Sequence, residues 1–409
     1  MVRRVNEHRE DQSDGPPRPV ELLSIAPGPA GAATLLGSLA DAIAGVGPAL
    51  ALAPAGDDEY ARRIRDAVLG DAGASNNRVD ADIALVVSTS GSLGQPRGVL
   101  LPAASLLASA HAAHELMGGP GSWLLAVPVT SVAGVQVLVR SLVAHTEPVV
   151  LSSIGGAASF DPSEFARKAW TLDPSLPAYC SLVPTQLVRI LDDHDALSAL
   201  QGFDAVLIGG ARLAPSMAKR LDAAYVRWFS TYGMTETSGG LFYNGEPLSG
   251  ATVELRDTDE TGTGRIVVRG PMLGRGYVDD PVVSARAFLD GYVTSDLGRL
   301  VNGRLEVIGR IDDVVQVGGI NVALGAVEDI LKRHFSDAAV LAEPDETWGS
   351  YITAFVADEH QSGDEFLQDI ELTLGRAARP RQVIAVAQIP HSPNGKPDRE
   401  ALRRLLSDR

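Results

Sequence analysis

Apolar runs of strand length alternate with segments of helical period from Ile83 to Tyr232. The runs are 83–87, then SWLLAVP from Ser122, EPVVLS from Glu147, PAYCSLV from Pro177, DAVLIGG from Asp204 and YVRWFSTYG from Tyr225. Between them 132–144, 184–193 and 215–224 carry apolar residues at helical spacing. This alternation predicts a mostly parallel sheet covered by helices, with binding loops at the strand C-termini. Beyond Gly245 the texture changes. TVELRD, GRIVVRG and RLEVIGR alternate with a period of two between turns, which predicts a small antiparallel β unit over about 246–311. Near Gly309 a third texture begins, with GRIDDVVQVGG, a helix at 324–335 and strands near Ala339 and Ile352. A helix at 365–374, a strand at Val383 and a last helix at 399–406 complete it. The expected fold class is α/β, with a large N-terminal domain (20–311) and a small α+β C-terminal domain (312–409). Residues 1–19 read as a disordered lead-in.

A chain of 409 residues exceeds one typical core, which agrees with two domains. The formal charge of −16 argues against nucleic acid and anionic membranes as partners, so any anionic substrate needs local cations. Cys180 is the only cysteine, which leaves no intrachain disulfide and no cysteine metal cluster. In its apolar strand it reads as a buried structural thiol. The stretch MVRRVNEHREDQSDGPPRP lacks the apolar segment of a secretory signal. Asp41 and Pro48 interrupt the Ala/Gly-rich stretch 36–54, so no integral membrane contact is expected. His111, His114 and His145 have no ligand spacing with acidic partners and read as helix-surface or core residues. A reducing, cytoplasmic setting fits these features.

Candidate chemistry sits in five segments. STSGSLGQPRGVLL (88–101) follows the strand at 83–87 and runs into an Ala/Leu-rich helix expected at 102–117. Strand, glycine loop and helix together gather backbone N–H groups for phosphate oxygens. No Lys-Ser/Thr pair follows the last glycine, so this is not the common nucleotide-binding loop. LIGGARL (207–213), STYGMTETSGG (230–240), TSDLGRL (294–300) with GRIDDVVQVGG (309–319), and PNGKPDR (393–399) follow in order. Each alone also reads as a strand-end turn, a cap, a hairpin or a surface lysine. Their order over three hundred residues is far harder to reach by chance.

Together these segments resemble those of the adenylate-forming superfamily: acyl- and aryl-CoA ligases, peptide-synthetase adenylation domains and luciferases. The resemblance covers about 83–405. It implies ATP-dependent activation of a carboxylic acid to an acyl-adenylate, with Mg²⁺, followed by transfer to CoA. Carried over residue by residue, it implies that Thr89, Ser90, Gly91, Ser92, Gly94 and Arg97 belong to the phosphate loop. Gly209, Gly210, Ala211, Tyr232 and Gly233 would surround adenine. Thr235 would contact the α-phosphate, Glu236 would hold Mg²⁺, and Asp296 with Arg310 would hold the ribose. Lys396 would bridge the attacking carboxylate and the α-phosphate, where a cation lowers the barrier between two anions. The smaller domain would rotate about Asp312 between the half-reactions, bringing Gly318 and Gly319 to the pantetheine channel.

GGPGSWLLAVP, LVRSLVA, SLVPTQL, AVLIGG and YGMTETSGG resemble the o-succinylbenzoate–CoA ligases of menaquinone synthesis. This implies an acid pocket with Ser131, Ser181, Val183, Pro184, Thr185, Gly239 and Gly240, with Gln186 as a further donor. SLVPTQL reads equally as a strand end followed by a capped helix. Three positions depart from the family pattern. Ser92 and Leu93 replace two threonines, Arg97 replaces a lysine, and Ser131 stands at a histidine position in PVTSVAG. Another acid, an amine or carrier-protein acceptor, or a non-catalytic nucleotide-binding role therefore stay open. A homodimer is a further possibility.

Overall fold

The computed structural model describes residues 15–70, 78–89, 96–155, 159–345, 348–357, 364–391 and 397–407. The chain begins with β1 (Arg18–Ile25), α1 (Gly28–Ala44), β2 (Ala49–Pro54), α2 (Glu59–Leu69), β3 (Arg78–Val79), β4 (Ile83–Ser88), β5 (Gly98–Pro102) and α3 (Ala103–Met117). Then come β6 (Ser122–Leu125), α4 (Val132–Ala144), β7 (Val149–Val150), α5 (Pro162–Ala169), β8 (Ala178–Leu182), α6 (Pro184–Leu191) and α7 (His194–Leu200). β9 (Ala205–Ile208), α8 (Pro215–Ala223), β10 (Trp228–Met234), β11 (Gly239–Tyr243) and β12 (Glu246–Pro247) follow. Next are β13 (Thr252–Arg256), β14 (Gly264–Arg269), β15 (Gly276–Tyr277), α9 (Pro281–Phe288), β16 (Tyr292–Val301) and β17 (Arg304–Arg310). The chain closes with β18 (Val314–Val317), β19 (Ile320–Ala323), α10 (Leu324–His334), β20 (Asp337–Asp345), β21 (Gly349–Ala357), α11 (Glu365–Leu374), β22 (Gln382–Val386) and α12 (Arg399–Ser407).

The described residues fall into two compact units. The first comprises those of Met1–Leu213, Lys219–Val253 and Val268–Val293; the second those of Ala214–Ala218, Glu254–Val267 and Thr294–Arg409. In the first unit one sheet has the order β15-β5-β4-β2-β1-β3 and another the order β12-β11-β10-β9-β8-β6-β7. β7, β6, β8, β9 and β10 pair in parallel, which brings the loops after these strands to one edge. β2, ALALAP, is buried along five of its six residues, with Ala49 and Ala51 packed against Val68 and Leu69 of α2. Helix starts follow local chemistry. Asp58 Oδ1 accepts from the Ala61 N–H at 2.8 Å and Asp280 Oδ1 from the Val283 N–H at 3.0 Å.

In the second unit β20 and β21 pair antiparallel and β22 joins β21 in parallel. Alternate residues of β20 face two apolar clusters. Ala338 and Val340 join Val327, Ile330 and Leu331 of α10, while Ala339 and Leu341 pack with Ile384 and Leu402. β13, β14, β16 and β17 form a four-stranded sheet in that order.

Several boundaries differ from the sequence expectations. Residues 98–101 are not loop: GVLLP forms β5, antiparallel to β4, and α3 starts at Ala103. β4 and β5 therefore pair as the two arms of a hairpin, and the phosphate reading of this region cannot draw on a helix N-terminus directly after it. Val99 and Leu101 are fully buried, which favours extended backbone there. β1 takes in Arg18 and Pro19, two residues assigned to the lead-in. The Arg18 guanidinium donates to the carbonyls of Ala42 and Ile83, tying the strand to the body of the unit. α1 runs through Asp41 and ends at Gly45, whose left-handed φ of 69° lets its N–H reach the last carbonyls. Among the described residues no helix is long and apolar enough to cross a membrane. Residues 294–311 group with the second unit, ahead of the boundary expected at 312.

Candidate active site

The β4–β5 hairpin is clamped at its neck. The Thr89 N–H donates to the Arg97 carbonyl at 2.8 Å, and the Arg97 N–H to Thr89 Oγ1 at 3.1 Å. Ser90, Gly91, Ser92 and Gly94 lie outside the described residues. Thr235 Oγ1 donates to the Ser88 carbonyl at 3.4 Å, so STYGMTETSGG meets the base of this hairpin. Thr235–Thr237 form one 3₁₀ turn, held by the Met234 N–H donating to Thr237 Oγ1 at 3.0 Å.

Glu236, on that turn, is 8% exposed. Its Oε1 accepts from the Tyr277 hydroxyl at 3.0 Å, and that hydroxyl lies 3.2 Å from the Tyr292 hydroxyl. Arg97 lies over the Tyr277 ring, 5.4 Å from its centroid. Burial first, and the Glu236 carboxylate second, push both phenols far above the usual tyrosine range. Both stay protonated, so Tyr277 serves as a fixed donor to the carboxylate. The sequence reading missed both tyrosines. Tyr292 stands two residues before TSDLGRL and could have been noticed; nothing local marks Tyr277 in PMLGRGYVDD.

No group of three or more His, Cys, Asp and Glu positioned for a metal exists among the described residues. The buried Glu236 carboxylate suits Mg²⁺, which takes one or two carboxylates and completes its octahedron with water and substrate phosphates.

Gly209, Gly210 and Ala211 follow β9, and Tyr232 lies on the adjacent β10, so the four occupy neighbouring strand ends. A Cβ at Gly209 would stand 2.5 Å from Thr231 Oγ1, and Gly210 adopts a φ of 81°. Side chains are excluded there for steric reasons, which leaves open backbone for a flat ligand. Gly233 sits at a register shift between β10 and β11.

Of the residues assigned to the acid pocket, Ser181 and Val183 are half-buried, Pro184 buried and Thr185 exposed. Ser131 caps α4: its hydroxyl donates to the Pro128 carbonyl at 2.6 Å and accepts from the Gly134 N–H at 3.3 Å. The hydroxyl is thus committed to the helix start. Gln186 is also engaged, its Oε1 accepting from the Val183 N–H at 3.0 Å and its Nε2 donating to the Ala126 carbonyl at 2.7 Å. The capped-helix reading of SLVPTQL accounts for the first contact, and the second ties α6 to the segment after β6. Cys180 is fully buried and burial pushes its thiol up, which leaves no nucleophile.

In the second unit Asp296 and Arg310 stand opposite each other on β16 and β17, with Nη1 donating to Oδ1 at 3.4 Å. Thr294 Oγ1 accepts from the Asp296 N–H at 2.9 Å and donates to the Ile266 carbonyl, fixing the strand under the carboxylate. Gly318 and Gly319, with φ of 59° and 82°, form the tight turn between β18 and β19. A Cβ at Gly318 would stand 2.8 Å from Trp348 Cε3. Asp312 lies in a 3₁₀ turn, Ile311–Asp313. Asp313 pairs with Arg399 of PNGKPDR, and Arg399 also lies 3.8 Å from half-buried Glu328. Lys396 is outside the described residues.

A profile of the AMP-binding enzymes matches residues 38–278, and one of the AMP-binding enzyme C-terminal domain matches 326–396. The chain belongs to the AMP-binding enzyme family. Among relatives of this family, it is 38% identical to a probable 2-succinylbenzoate–CoA ligase of Mycobacterium tuberculosis, over 93% of this chain and 97% of that protein. It is 27% identical to a 2-succinylbenzoate–CoA ligase of Listeria monocytogenes, over 78% of this chain and 69% of that one. Solved structures share the AMP-binding fold. The o-succinylbenzoate coenzyme A synthetase MenE of Bacillus subtilis, in complex with ATP and magnesium ion, matches with a TM-score of 0.74 at 20% identity, covering 94% of this chain and 90% of that one. An ATP-bound chimera of RpMatB and BxBclM matches with a TM-score of 0.79 at 20% identity, covering 96% and 89%.

Proposed function

We propose that the protein is an AMP-forming 2-succinylbenzoate–CoA ligase. The reading is carried by the 38% identity that runs over 93% of the chain to the mycobacterial relative of that name. The cluster at the β4–β5 hairpin supplies the chemistry this activity needs.

A carboxylate oxygen of the acid attacks the α-phosphorus of ATP; the bond to the bridging oxygen breaks and pyrophosphate leaves with the electron pair. Thr89, Arg97 and the glycine segment between them hold the polyphosphate, and Thr235 donates to the α-phosphate. Glu236, with Tyr277 donating to its Oε1, would hold Mg²⁺, which neutralises phosphate charge when bound. Tyr232 and Gly209–Ala211 take the adenine, and Asp296 accepts both ribose hydroxyls beside Arg310. Lys396 neutralises the two anions as they meet. In the second half-reaction the CoA sulfur attacks the acyl carbonyl, and the carbon–oxygen bond to AMP breaks. The 3₁₀ turn at Asp312 is the pivot for exchanging the two arrangements, and Gly318–Gly319 border the pantetheine path. Ser131 offers no imidazole at its own position, so the thiol loses its proton to another group or to water.

A cytoplasmic setting is supported by the lone, buried Cys180. Light scattering of the purified protein tests the homodimer that completes this proposal. The functional test is pyrophosphate release with ATP, Mg²⁺ and a panel of carboxylic acids, with and without CoA, followed by mass analysis. Formation of 2-succinylbenzoyl-CoA supports the reading. Release with another acid only, or an adenylate that never reaches CoA, overturns it.

A further inference from the structure

The core of the first unit holds a cation that nothing in the adenylation machinery uses. Arg140, on α4, is 3% exposed, and among the described residues its partners are a tyrosine hydroxyl and an indole ring rather than a carboxylate. Its Nη2 donates to the Tyr243 hydroxyl at 3.1 Å, and its guanidinium carbon lies 5.1 Å from the Trp123 ring centroid. Neither contact neutralises the charge, and a guanidinium does not deprotonate in a protein. A buried charge without a counterion is expensive and calls for a reason.

The surroundings supply one. Gln136 lies one helical turn before Arg140, on the same face of α4. Its Cγ stands 3.0 Å from where a Gly239 Cβ would be, and Tyr243 Cε1 stands 2.8 Å from a Gly240 Cβ position. The α4 face bearing both side chains therefore backs onto Gly239–Gly240, with Arg140 one hydrogen bond away through Tyr243. Three buried polar atoms gather around this floor without a hydrogen-bond partner among the described residues: Ser238 Oγ, Gln136 Oε1 and Arg140 Nε. Native interiors rarely leave such groups unsatisfied, and three around one glycine pair point to a polar ligand.

We propose that Arg140 is a specificity-determining residue whose buried positive charge, behind the Gly239–Gly240 floor, makes the acid site select a dicarboxylate. The assignment rests on the reading of Gly239 and Gly240 as part of the acid pocket. One carboxylate of the acid is consumed in adenylation; Arg140 attracts the other through the floor. In a chain of net charge −16, such a local cation offsets the general repulsion of a dianionic acid.

The experiment compares 2-succinylbenzoate with 4-oxo-4-phenylbutanoate, which lacks the ring carboxylate, in pyrophosphate release by wild-type protein, Arg140→Met and Arg140→Lys. For two charges several ångströms apart under partial screening, Arg140→Met should cost the dicarboxylate about 10- to 100-fold more in kcat/KM than the monocarboxylate, mostly through KM. Arg140→Lys should recover part of that preference. An equal loss for both acids in a folded Arg140→Met protein shows a packing role only and overturns the proposal. Should Arg140→Met fail to fold, ¹³C NMR of carboxyl-labelled 2-succinylbenzoate on wild-type protein decides. A ring carboxyl that titrates lower when bound supports the proposal; an unshifted one overturns it. The two readings fail separately. Wild-type preference for another dicarboxylate, lost in Arg140→Met, keeps Arg140 and discards 2-succinylbenzoate, whereas preference for a monocarboxylate discards the Arg140 assignment.

Discussion

Replacing His114 by glutamine should flatten the acid side of the stability profile. His114 is 3% exposed and its Nε2 accepts from Trp123 Nε1 at 3.3 Å. Burial first, then the charges of Arg140 and His111, lower its pKa from the usual 6.5 to about 3. Between these values the unfolded chain binds a proton that the folded chain refuses, so stability is lost as pH falls below 6.5. From pH 7 to pH 5 only the unfolded side titrates. The unfolded state gains about 1.5 pH units of protonation free energy, roughly 2 kcal/mol. Glutamine offers Trp123 an acceptor and does not titrate, so it should remove this contribution and leave the other groups as they were. Urea unfolding at both pH values, followed by tryptophan fluorescence, measures the difference. Trp123 is fully buried and Trp228 half-buried, whereas Trp170 and Trp348 are 69% and 58% exposed, so a Trp228→Phe background lets the blue-shifted emission report this part of the core. A loss between pH 7 and pH 5 that is the same in both proteins would refute the reasoning.

Tyr277→Phe removes one donor to Glu236; at about 1.5–3 kcal/mol for a hydrogen bond to a charged group, the Mg²⁺ concentration for half-maximal adenylation should rise about tenfold or more. An unchanged Mg²⁺ dependence would show that Tyr277 does not fix the carboxylate. Lys396→Ala should lower adenylation on the order of 10²- to 10³-fold, as other single charge-stabilising groups do, and near-parental pyrophosphate release would sink its role. Asp312→Pro should leave pyrophosphate release largely intact and slow CoA transfer, measured in single-turnover experiments on preformed adenylate; parallel losses would exclude a pivot there.

Much of this protein was legible in sequence because its elements are set locally. Continuous apolar runs mark β8 and β9, which are buried or half-buried along their whole length, and the apolar stretch of α4 marks a helix buried along 134–142. Backbone requirements mark the turns: Gly318–Gly319 needs left-handed backbone that only glycine supplies cheaply. Ordered motifs identified the family for the same reason, since each is a short segment whose chemistry depends on its own residues. β5 was hidden because GVLLP is too short to separate from a loop until it pairs with β4. Ser131 and Gln186 resembled pocket donors, and only the fold shows their polar atoms spent on a helix cap and an adjacent carbonyl. The Glu236–Tyr277–Tyr292 cluster joins residues 41 and 15 positions apart in the chain. Arg140 and Tyr243 lie 103 apart. Hydrogen bonds and charge burial between such distant positions leave no periodic trace in the sequence. They are decided when the sheets and helices pack, because packing alone determines which polar groups leave water together.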